Sequence, residues 1–388
     1  MPVFLPFLLM FALLNSCIEL EISAPSFVDI QHYFDVSATT VGLTITYNLL
    51  GFCIAALCYG PLSECHGRRR IMCIGNGVLA IGAIGCVIAP SMTWLIIARF
   101  IQGLGAATSA VVVSAIIADV YKPQKAAHLY GTMNAVFTTL MALSPLIGGL
   151  INSAIGWRGN YGIVALICLL SWILLCLALP ETKPNKAHLH LKTIFHHYQK
   201  LFSNPLFLSA ATVPSLLYGG YLAFVALAPF LYMQAFELTL FTYITHQAIV
   251  IAAFAISSAF SGKITLRLGN HKTLGIALFL SVLGSILMLC AHTAPMLTAT
   301  MSLFCIGSAL LYPIIFAYSM EIFPQIKGTA SSAIMGLRYL LCSSITGLAS
   351  YYYHGSPATM HYLLLALTAM ITILTISIRN KLLTQHQP

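Results

Sequence analysis

Long apolar runs separated by short polar segments repeat from one end of the chain to the other. A helix of about 20 apolar residues is long enough to cross the hydrocarbon core of a bilayer. The pattern therefore predicts twelve membrane-spanning helices, near residues 4–27, 39–61, 71–90, 92–118, 126–152, 160–179, 206–233, 243–265, 273–291, 295–319, 327–352 and 360–379. The first run continues past residue 14 without a basic segment before it, so we interpret it as a retained span rather than a signal peptide.

The composition agrees with this pattern, because 59% of the 388 residues are hydrophobic and only 7% are charged. A soluble domain carries about 25% charged residues. The sequence therefore predicts an all-α integral membrane protein. Its eleven cysteines lie almost all inside apolar runs, and neither they nor the histidines have the spacing of a metal site. We expect no metal, no cofactor and no enzyme activity, since no motif combines a nucleophile, a base and an orienting group.

Lys and Arg residues collect on one side of the predicted path. Three consecutive arginines predict that the basic segment 60–70 is a short loop at a membrane face, and an excess of Lys and Arg marks the cytoplasmic face. Fifteen of the eighteen Lys and Arg residues then share that face: Arg68, Arg69, Arg70, Lys122, Lys125, Lys183, Lys186, Lys192, Lys200, Lys263, Arg267, Lys272, Lys327, Arg379 and Lys381. Both termini would be cytoplasmic, in a bacterial inner membrane, and the net charge of +9 needs no nucleic-acid partner.

A polar interval near the middle divides the chain into related halves. We predict an N-terminal six-helix bundle over 1–180, a cytoplasmic linker over 181–204 and a C-terminal six-helix bundle over 205–388. The linker carries four irregularly spaced histidines, which favour a solvated segment over a metal site. Segment 262–272 is a weak copy of 60–70, 202 residues later, with Gly269 in the place of Gly67. Such a parallel repeat is typical of transporters whose two bundles move about a central site.

Four motifs carry a resemblance to a known family. They are Gly60-x-Leu62-x-Glu64-x-x-Gly67-Arg68-Arg69, Arg99-Phe100-Ile101-Gln102-Gly103-Leu104-Gly105, Ser144-Pro145-Leu146-Ile147-Gly148-Gly149 and Leu179-Pro180-Glu181-Thr182. On these residues the chain resembles the major facilitator superfamily, and it is most similar to drug/proton antiporters of the Bcr/CflA and MdfA kind. The resemblance implies two six-helix bundles and proton-coupled transport, with Pro145, Gly148 and Gly149 as the antiporter motif. Cys65 stands where the family usually has Arg, and Ser144 where the antiporter motif usually has Gly.

The same resemblance implies a conformational latch at the basic segment. It consists of Gly60, Glu64, Gly67 and Arg68 together with Asp119 at the cytoplasmic end of the fourth span. Arg68 is expected to reach Asp119, while Glu64 faces the positive N-terminal end of the eleventh span. These contacts would hold when the transporter opens outward and break when it opens inward.

Four ionisable residues lie within predicted spans and are candidates for function: Glu19, Glu21, Arg99 and Arg338. Glu21 and Arg99 lie at matching depths, about 9 and 10 Å from the outer face at 1.5 Å per residue. The resemblance places an acidic residue four positions before a proline, which favours Glu21, before Pro25, as the proton-coupling carboxylate beside Arg99. Glu19 is the alternative, because residues two apart point about 200° apart and cannot share one cavity. A purely structural pair is the third possibility.

A substrate pocket is predicted from polar and aromatic residues in the spans. Arg338 lies near mid-membrane, where it would bind an anionic or zwitterionic substrate or else form a structural pair. His246 and Gln247 would line the pocket, relay protons or form a helix contact. The other candidates are Tyr47, Asn48, Asn134, Phe137, Tyr218, Tyr221, Phe224, Tyr312 and Phe316, although most aromatics in such helices face lipid or core.

These features together predict a monomeric secondary transporter that exports drugs or small amphipathic compounds by alternating access, driven by protons. Its partners would be a small-molecule substrate, protons and the lipid bilayer. The alternatives are a dedicated exporter of an anionic metabolite such as a siderophore, a proton-coupled importer, and a receptor that does not transport. The sequence has no nucleotide-binding motif, which disfavours an ATP-driven pump.

Overall fold

The computed structural model describes residues 4–183 and 191–385, and within them several side chains, mostly between 123 and 142 and beyond 378, lie outside the described set. Helices dominate the described chain, because backbone groups in hydrocarbon must bond within their own segment. The first half contains α1 (Leu5–Glu21), α2 (Phe27–Phe34), α3 (Ala38–His66), α4 (Arg68–Val87), α5 (Met92–Val120), α6 (Pro123–Ile155) and α7 (Trp157–Ala178). After α8 (Leu191–Phe202) follow α9 (Pro205–Phe230), α10 (Leu240–Leu268), α11 (Asn270–Met288), α12 (Ala294–Glu321), α13 (Lys327–Tyr351) and α14 (Ala358–Gln385).

The all-helical membrane architecture predicted from the sequence is confirmed. Within the described residues, eleven helices are long and apolar enough to cross a membrane. The fifth predicted span coincides with α6, which has 33 residues and whose described apolar part is Leu143–Ile155.

The first span is longer than predicted. It covers Leu5–Phe34, whereas the apolar run suggested an end near residue 27. A short 3₁₀ turn at Ala24–Ser26, with Pro25 inside it, separates α1 from α2. The chain resumes as a helix because Phe27, Val28 and Ile30 form one buried face, while the polar residues Asp29 and His32 ended the apolar run.

The basic segment 60–70 was predicted as a loop, and this is wrong. Helix α3 continues to His66 and α4 begins at Arg68, so the turn is the single residue Gly67 at φ +93°. Gly269 joins α10 to α11 in the same way, at φ +79°. Glycine adopts such angles without steric cost.

The predicted linker 181–204 contains a helix that sequence analysis missed. Helix α8 ends with Leu201 fully buried against Phe207 and Ala211 of α9 and against Ala330 of α13. Tyr198 and Phe202 stack with ring centroids 6.2 Å apart. His188 and His190 lie outside the described residues.

The chain forms two compact units, residues 1–195 and 196–388. In the first unit α5 packs against α1, α3 and α4. A Cβ on Gly51 would overlap the carbonyl of Phe100, and one on Gly103 would overlap the carbonyl of Asn48. Helices approach most closely where glycine replaces a side chain. This contact brings the polar residues of α3 and α5 together inside the unit.

Candidate functional site

A fully buried ion pair joins α1 to α5. Arg99 Nη1 lies 2.9 Å from Glu19 Oε2, and neither side chain has exposed surface. The same nitrogen donates to the backbone carbonyl of Glu19 at 3.3 Å. A buried charge is very costly without a partner, so each residue depends on the other.

Side chains from α3 and α5 add further hydrogen bonds to this pair. Asn48 Nδ2 donates to Glu19 Oε1 at 3.0 Å and to the carbonyl of Arg99 at 3.1 Å. Gln102 Oε1 accepts from Arg99 Nη1 at 2.8 Å and from Cys86 Sγ at 3.6 Å. Arg99 also lies over the ring of Tyr161 on α7, with Cζ 5.9 Å from the centroid. The ion pair is thus the centre of a network that links five helices.

The structure pairs Arg99 with Glu19, whereas the sequence favoured a pair with Glu21. Residues two apart on a helix point in nearly opposite directions, and the rotation of α1 turns Glu19 toward α5. The depth estimate that matched Glu21 to Arg99 assumed a span ending near residue 27, and this span ends at Phe34. Glu21 is also buried, at 1% exposure, immediately before the break in the span. Which carboxylate carries the proton remains a prediction.

Gln102 and Tyr161 were missed by sequence analysis. Gln102 lies in the quoted motif 99–105, one turn after Arg99, so its spacing offered a signal. Nothing in the sequence connected Tyr161 with α5. Asn48 was predicted as a substrate contact, which stays a prediction, and the structure places its amide against Glu19 and Arg99.

The residues of the predicted latch meet around the buried side chain of Arg68. Arg68 Nε donates to Asp119 Oδ2 at 2.9 Å, and its Nη1 donates to Ser63 Oγ at 2.6 Å. Ser63 Oγ in turn donates to the carbonyl of Gly60 at 2.9 Å. Glu64 is farther away, with Oε1 4.0 Å from Arg68 Nη2. The predicted contact of Glu64 with the eleventh span stays a prediction.

Glu181, which follows α7, caps the first turn of α4. Its Oε1 accepts from the backbone N–H of Arg68 at 2.9 Å, and its Oε2 accepts from that of Arg69 at 3.3 Å. A carboxylate at this position satisfies free N–H groups and matches the positive end of the helix dipole. A Cβ on Gly67 would overlap Glu181 Oε2, so a larger residue at this turn would displace the capping carboxylate as well as strain φ.

The antiporter motif lies where α6 meets the break in the first span. A Cβ on Gly148 would overlap the backbone carbonyl of Ile22, and Pro145 and Gly149 are buried nearby in sequence. Ser144 stands where the family usually has Gly, and its Oγ donates to the carbonyl of Leu140 at 2.7 Å within the same helix. The hydroxyl is thereby satisfied without a partner on another helix.

In the second unit, Arg338 is nearly buried against an aromatic pair on α12. Its Nη2 donates to the hydroxyl of Tyr312 at 2.7 Å. Its Cζ lies 5.1 Å from the centroid of Tyr312 and 5.8 Å from that of Phe316. Both rings are stacked 5.7 Å apart, so they present one π surface to the guanidinium.

Two further predicted pocket residues lie together on α9. Tyr218 and Tyr221 stack at 6.4 Å, and Tyr218 contacts Tyr339 edge-on at 6.4 Å. Because Tyr339 follows Arg338 on α13, the aromatic cluster continues from the arginine to α9. Tyr47 is 41% exposed on α3 of the first unit. The side chains of Asn134 and Phe137 lie outside the described residues.

His246 forms a hydrogen-bonded contact between α10 and α12. Its Nδ1 lies 2.8 Å from Thr298 Oγ1, which also lies 2.7 Å from the hydroxyl of Tyr232. The ring of Tyr232 stacks on His246 at 5.1 Å. Gln247 is fully buried beside it in sequence.

Comparisons with known proteins agree with this architecture. A family model described as Major Facilitator Superfamily matches residues 9–347. The chloramphenicol resistance protein CraA of Acinetobacter baumannii is 24% identical over 86% of this chain and 82% of its own length. The multidrug resistance protein MdtM of Salmonella typhimurium is 23% identical over 95% and 90%. A bicyclomycin resistance protein homolog of Haemophilus influenzae is 28% identical over 81% of both chains.

The fold is also that of a solved transporter. The xylose transporter XylE from E. coli, in a partially occluded inward-open conformation, superposes with a TM-score of 0.76. The match covers 96% of both chains at 13% identity, so the likeness concerns the fold alone.

Proposed function

Since the chain belongs to the major facilitator superfamily, we propose that it is a proton-coupled antiporter that exports drugs or small amphipathic compounds by alternating access. Family membership makes it a multi-pass membrane transporter and not an enzyme. The observation that supports proton coupling is the Glu19–Arg99 ion pair, whose two side chains are fully buried and lie in two different spans. Ionisable residues in spans are expensive and mark proton or substrate pathways by default.

The pair suits proton coupling because Arg99 can bind a different group when Glu19 is protonated. Protonation of Glu19 removes the negative charge that holds Arg99 Nη1. Arg99 Nε and Nη2 have no hydrogen-bond partner among the described residues, so the guanidinium can accept a second anionic or carbonyl group. A proton taken up from the outside by Glu19 would thus release Arg99, and its loss to the inside would restore the pair. The buried Glu21, which the sequence favoured as the proton carrier, becomes the alternative carrier in this proposal.

Drugs are the proposed substrate class because relatives over most of the chain are named for chloramphenicol, bicyclomycin and multidrug resistance. The aromatic cluster of the second unit supports this proposal, since Tyr218, Tyr221 and Tyr312 offer ring faces to an amphipathic molecule. We also retain the inner membrane and cytoplasmic termini as proposals from the distribution of basic residues.

The test is transport by purified protein in proteoliposomes with an imposed pH gradient. We expect proton-driven chloramphenicol movement by the natural protein and at least a tenfold loss in Glu19→Gln, which keeps the shape of the side chain but not its charge. Glu321→Gln removes an exposed carboxylate at the end of α12 and is the matched control. Equal transport by Glu19→Gln together with loss in Glu21→Gln would move the proton to Glu21. Movement of chloramphenicol in the same direction as the protons, and not in the opposite direction, would identify a proton-coupled importer.

A dedicated exporter of an anionic metabolite is the second candidate. It is favoured by Arg338, because a nearly buried guanidinium beside Tyr312 has no carboxylate partner among the described residues. An arginine fork suits carboxylate and phosphate groups. Competition of chloramphenicol transport by cationic, zwitterionic and carboxylate compounds separates the two candidates.

A further inference from the structure

A cavity of about 500 Å³ opens beside the turn at Gly67. Arg68, Arg69 and Arg70 follow that turn. The cavity lies between the end of α3, the first turns of α4 and the last turn of α7. It is lined by His66, Arg69, Arg70, Cys73, Cys176 and Glu181. None of these residues belongs to the ion pair or to the aromatic cluster of the second unit.

The lining has an excess of positive charge. Arg69 and Arg70 each bring a guanidinium, and the Arg69 side chain is fixed because Nη2 donates to the carbonyl of Cys176 at 2.7 Å. Glu181 is the opposing charge, but its oxygens already accept backbone N–H groups at the start of α4. The cavity therefore suits a ligand with an anionic group, which Arg recognises best as phosphate or carboxylate.

Exposed apolar side chains follow two of the lining residues in the sequence of the same two helices. Ile74, which follows Cys73 on α4, is 50% exposed, and Leu177, which follows Cys176 on α7, is 77% exposed. Both helices are long and apolar enough to span a membrane, so exposed side chains of this kind contact lipid tails. The surface thus combines a cationic recess at the headgroup level with an apolar path toward the hydrocarbon.

We propose that this cavity binds the phosphate headgroup of an anionic phospholipid, with the acyl chains along Ile74 and Leu177. Basic pockets between spans commonly hold lipid headgroups. A free phosphate ion shares the headgroup chemistry but makes no use of the apolar path. Binding at this place lies directly against the Glu181 cap and the turn at Gly67, so the lipid would stabilise the junction of α3, α4 and α7.

The test is native mass spectrometry of the full-length protein from detergent, titrated with dioleoyl phosphatidylglycerol. We expect one lipid adduct that survives detergent removal, with affinity about fivefold weaker in Arg70→Gln and weaker again in Arg69→Gln/Arg70→Gln. Arg267→Gln is the matched control, since Arg267 is exposed at the equivalent turn of the second unit. Leu177→Ser should also weaken the adduct, because it removes apolar surface next to the cavity.

Two further arms distinguish the ligands. Dioleoyl phosphatidylcholine, which has no net charge, should bind at least fivefold more weakly than phosphatidylglycerol. Inorganic phosphate at millimolar concentration should not displace the lipid. The proposal is overturned if both arginine variants keep the natural affinity, or if inorganic phosphate competes fully and Leu177→Ser has no effect. A folded protein is verified in each case by an unchanged elution volume.

Discussion

At the scale of single residues, the partner of Arg99 is decided by the rotation of a helix and not by a motif. Glu19 and Glu21 are separated by one residue and point in nearly opposite directions, so only about half a turn of rotation of α1 would exchange them. The donors on neighbouring helices settle the choice, because Asn48 Nδ2 lies 3.0 Å from Glu19 Oε1. The amide of Asn48 and the guanidinium of Arg99 thus bind the carboxylate of Glu19 from two different helices.

Removing the amide of Asn48 tests this arrangement. Asn48→Ala leaves the buried Glu19 with Arg99 as its charged partner and without a donor from α3, so we expect a loss of about 1–3 kcal/mol in stability. Thermal unfolding in detergent, followed by tryptophan fluorescence, measures the change. Tyr47→Phe, at the half-exposed neighbouring position, should leave the transition unchanged. A similar effect of both variants would show that Asn48 does not support the pair.

At the scale of elements, two helix–helix turns are built from a single glycine each. Gly67 and Gly269 have nearly the same conformation, with φ of +93° and +79° and ψ of 149° and 159°. Their surroundings differ, because a Cβ at Gly67 would overlap Glu181, while a Cβ at Gly269 would have no atom within 4 Å. Comparing the same substitution at the two positions therefore separates the stability cost of backbone strain from the cost of losing a helix cap.

Matched alanine variants exploit this difference. Gly269→Ala should cost about 1–3 kcal/mol through backbone strain alone. Gly67→Ala should cost about 1 kcal/mol more, because it also displaces the Glu181 carboxylate from the start of α4. The measurement is thermal unfolding of both variants, with and without Glu181→Gln. If Gly67→Ala is no worse than Gly269→Ala, the cap contributes nothing measurable.

At the scale of the whole molecule, each unit has one buried arginine well inside a predicted span, Arg99 in the first and Arg338 in the second, and the two differ in their partners among the described residues. Arg99 in the first unit pairs with a carboxylate, whereas Arg338 in the second unit contacts the hydroxyl and ring of Tyr312. This contrast favours a division of labour in which the first unit handles the proton and the second unit the substrate.

Arg338→Gln tests the substrate role in the second unit. Without the guanidinium, we expect transport of carboxylate compounds to fall at least tenfold and that of cationic compounds to change less than twofold. Initial rates in proteoliposomes with radiolabelled compounds of both classes provide the measurement. Tyr312→Phe is the control, because it keeps the ring under the guanidinium and removes only the hydroxyl. An equal loss for both classes would indicate a structural role for Arg338.

The sequence was sufficient where one physical constraint dominates. Apolar runs predicted the spans well, because hydrocarbon requires about 20 apolar residues in a helix. It was insufficient where several helices meet. The end of the first span at Phe34 depends on burial of Phe27 and Ile30 against other helices. The contact of Arg338 with Tyr312 joins residues 26 apart that only packing brings together.

Charged segments were misread for a related reason. The basic segment 60–70 was interpreted as a loop because three arginines exclude hydrocarbon, yet Arg68 is buried by Asp119 and Ser63. A partner on another helix, such as Asp119 on α5, allows a charged residue to begin a helix at the membrane face. Helix α8 was missed similarly, since its stabilising contact is the burial of Leu201 against the second unit's own core.

The Glu181 cap has a mechanical consequence. Glu181 and Lys183 follow α7 on the way to α8, and Glu181 Oε1 accepts from the backbone N–H of both Arg68 and Lys183. A pull on the chain at Lys183 is therefore borne by the first turn of α4 as well as by the end of α7. Force that arrives at Lys183 is thus shared between the turn at Gly67 and the end of α7.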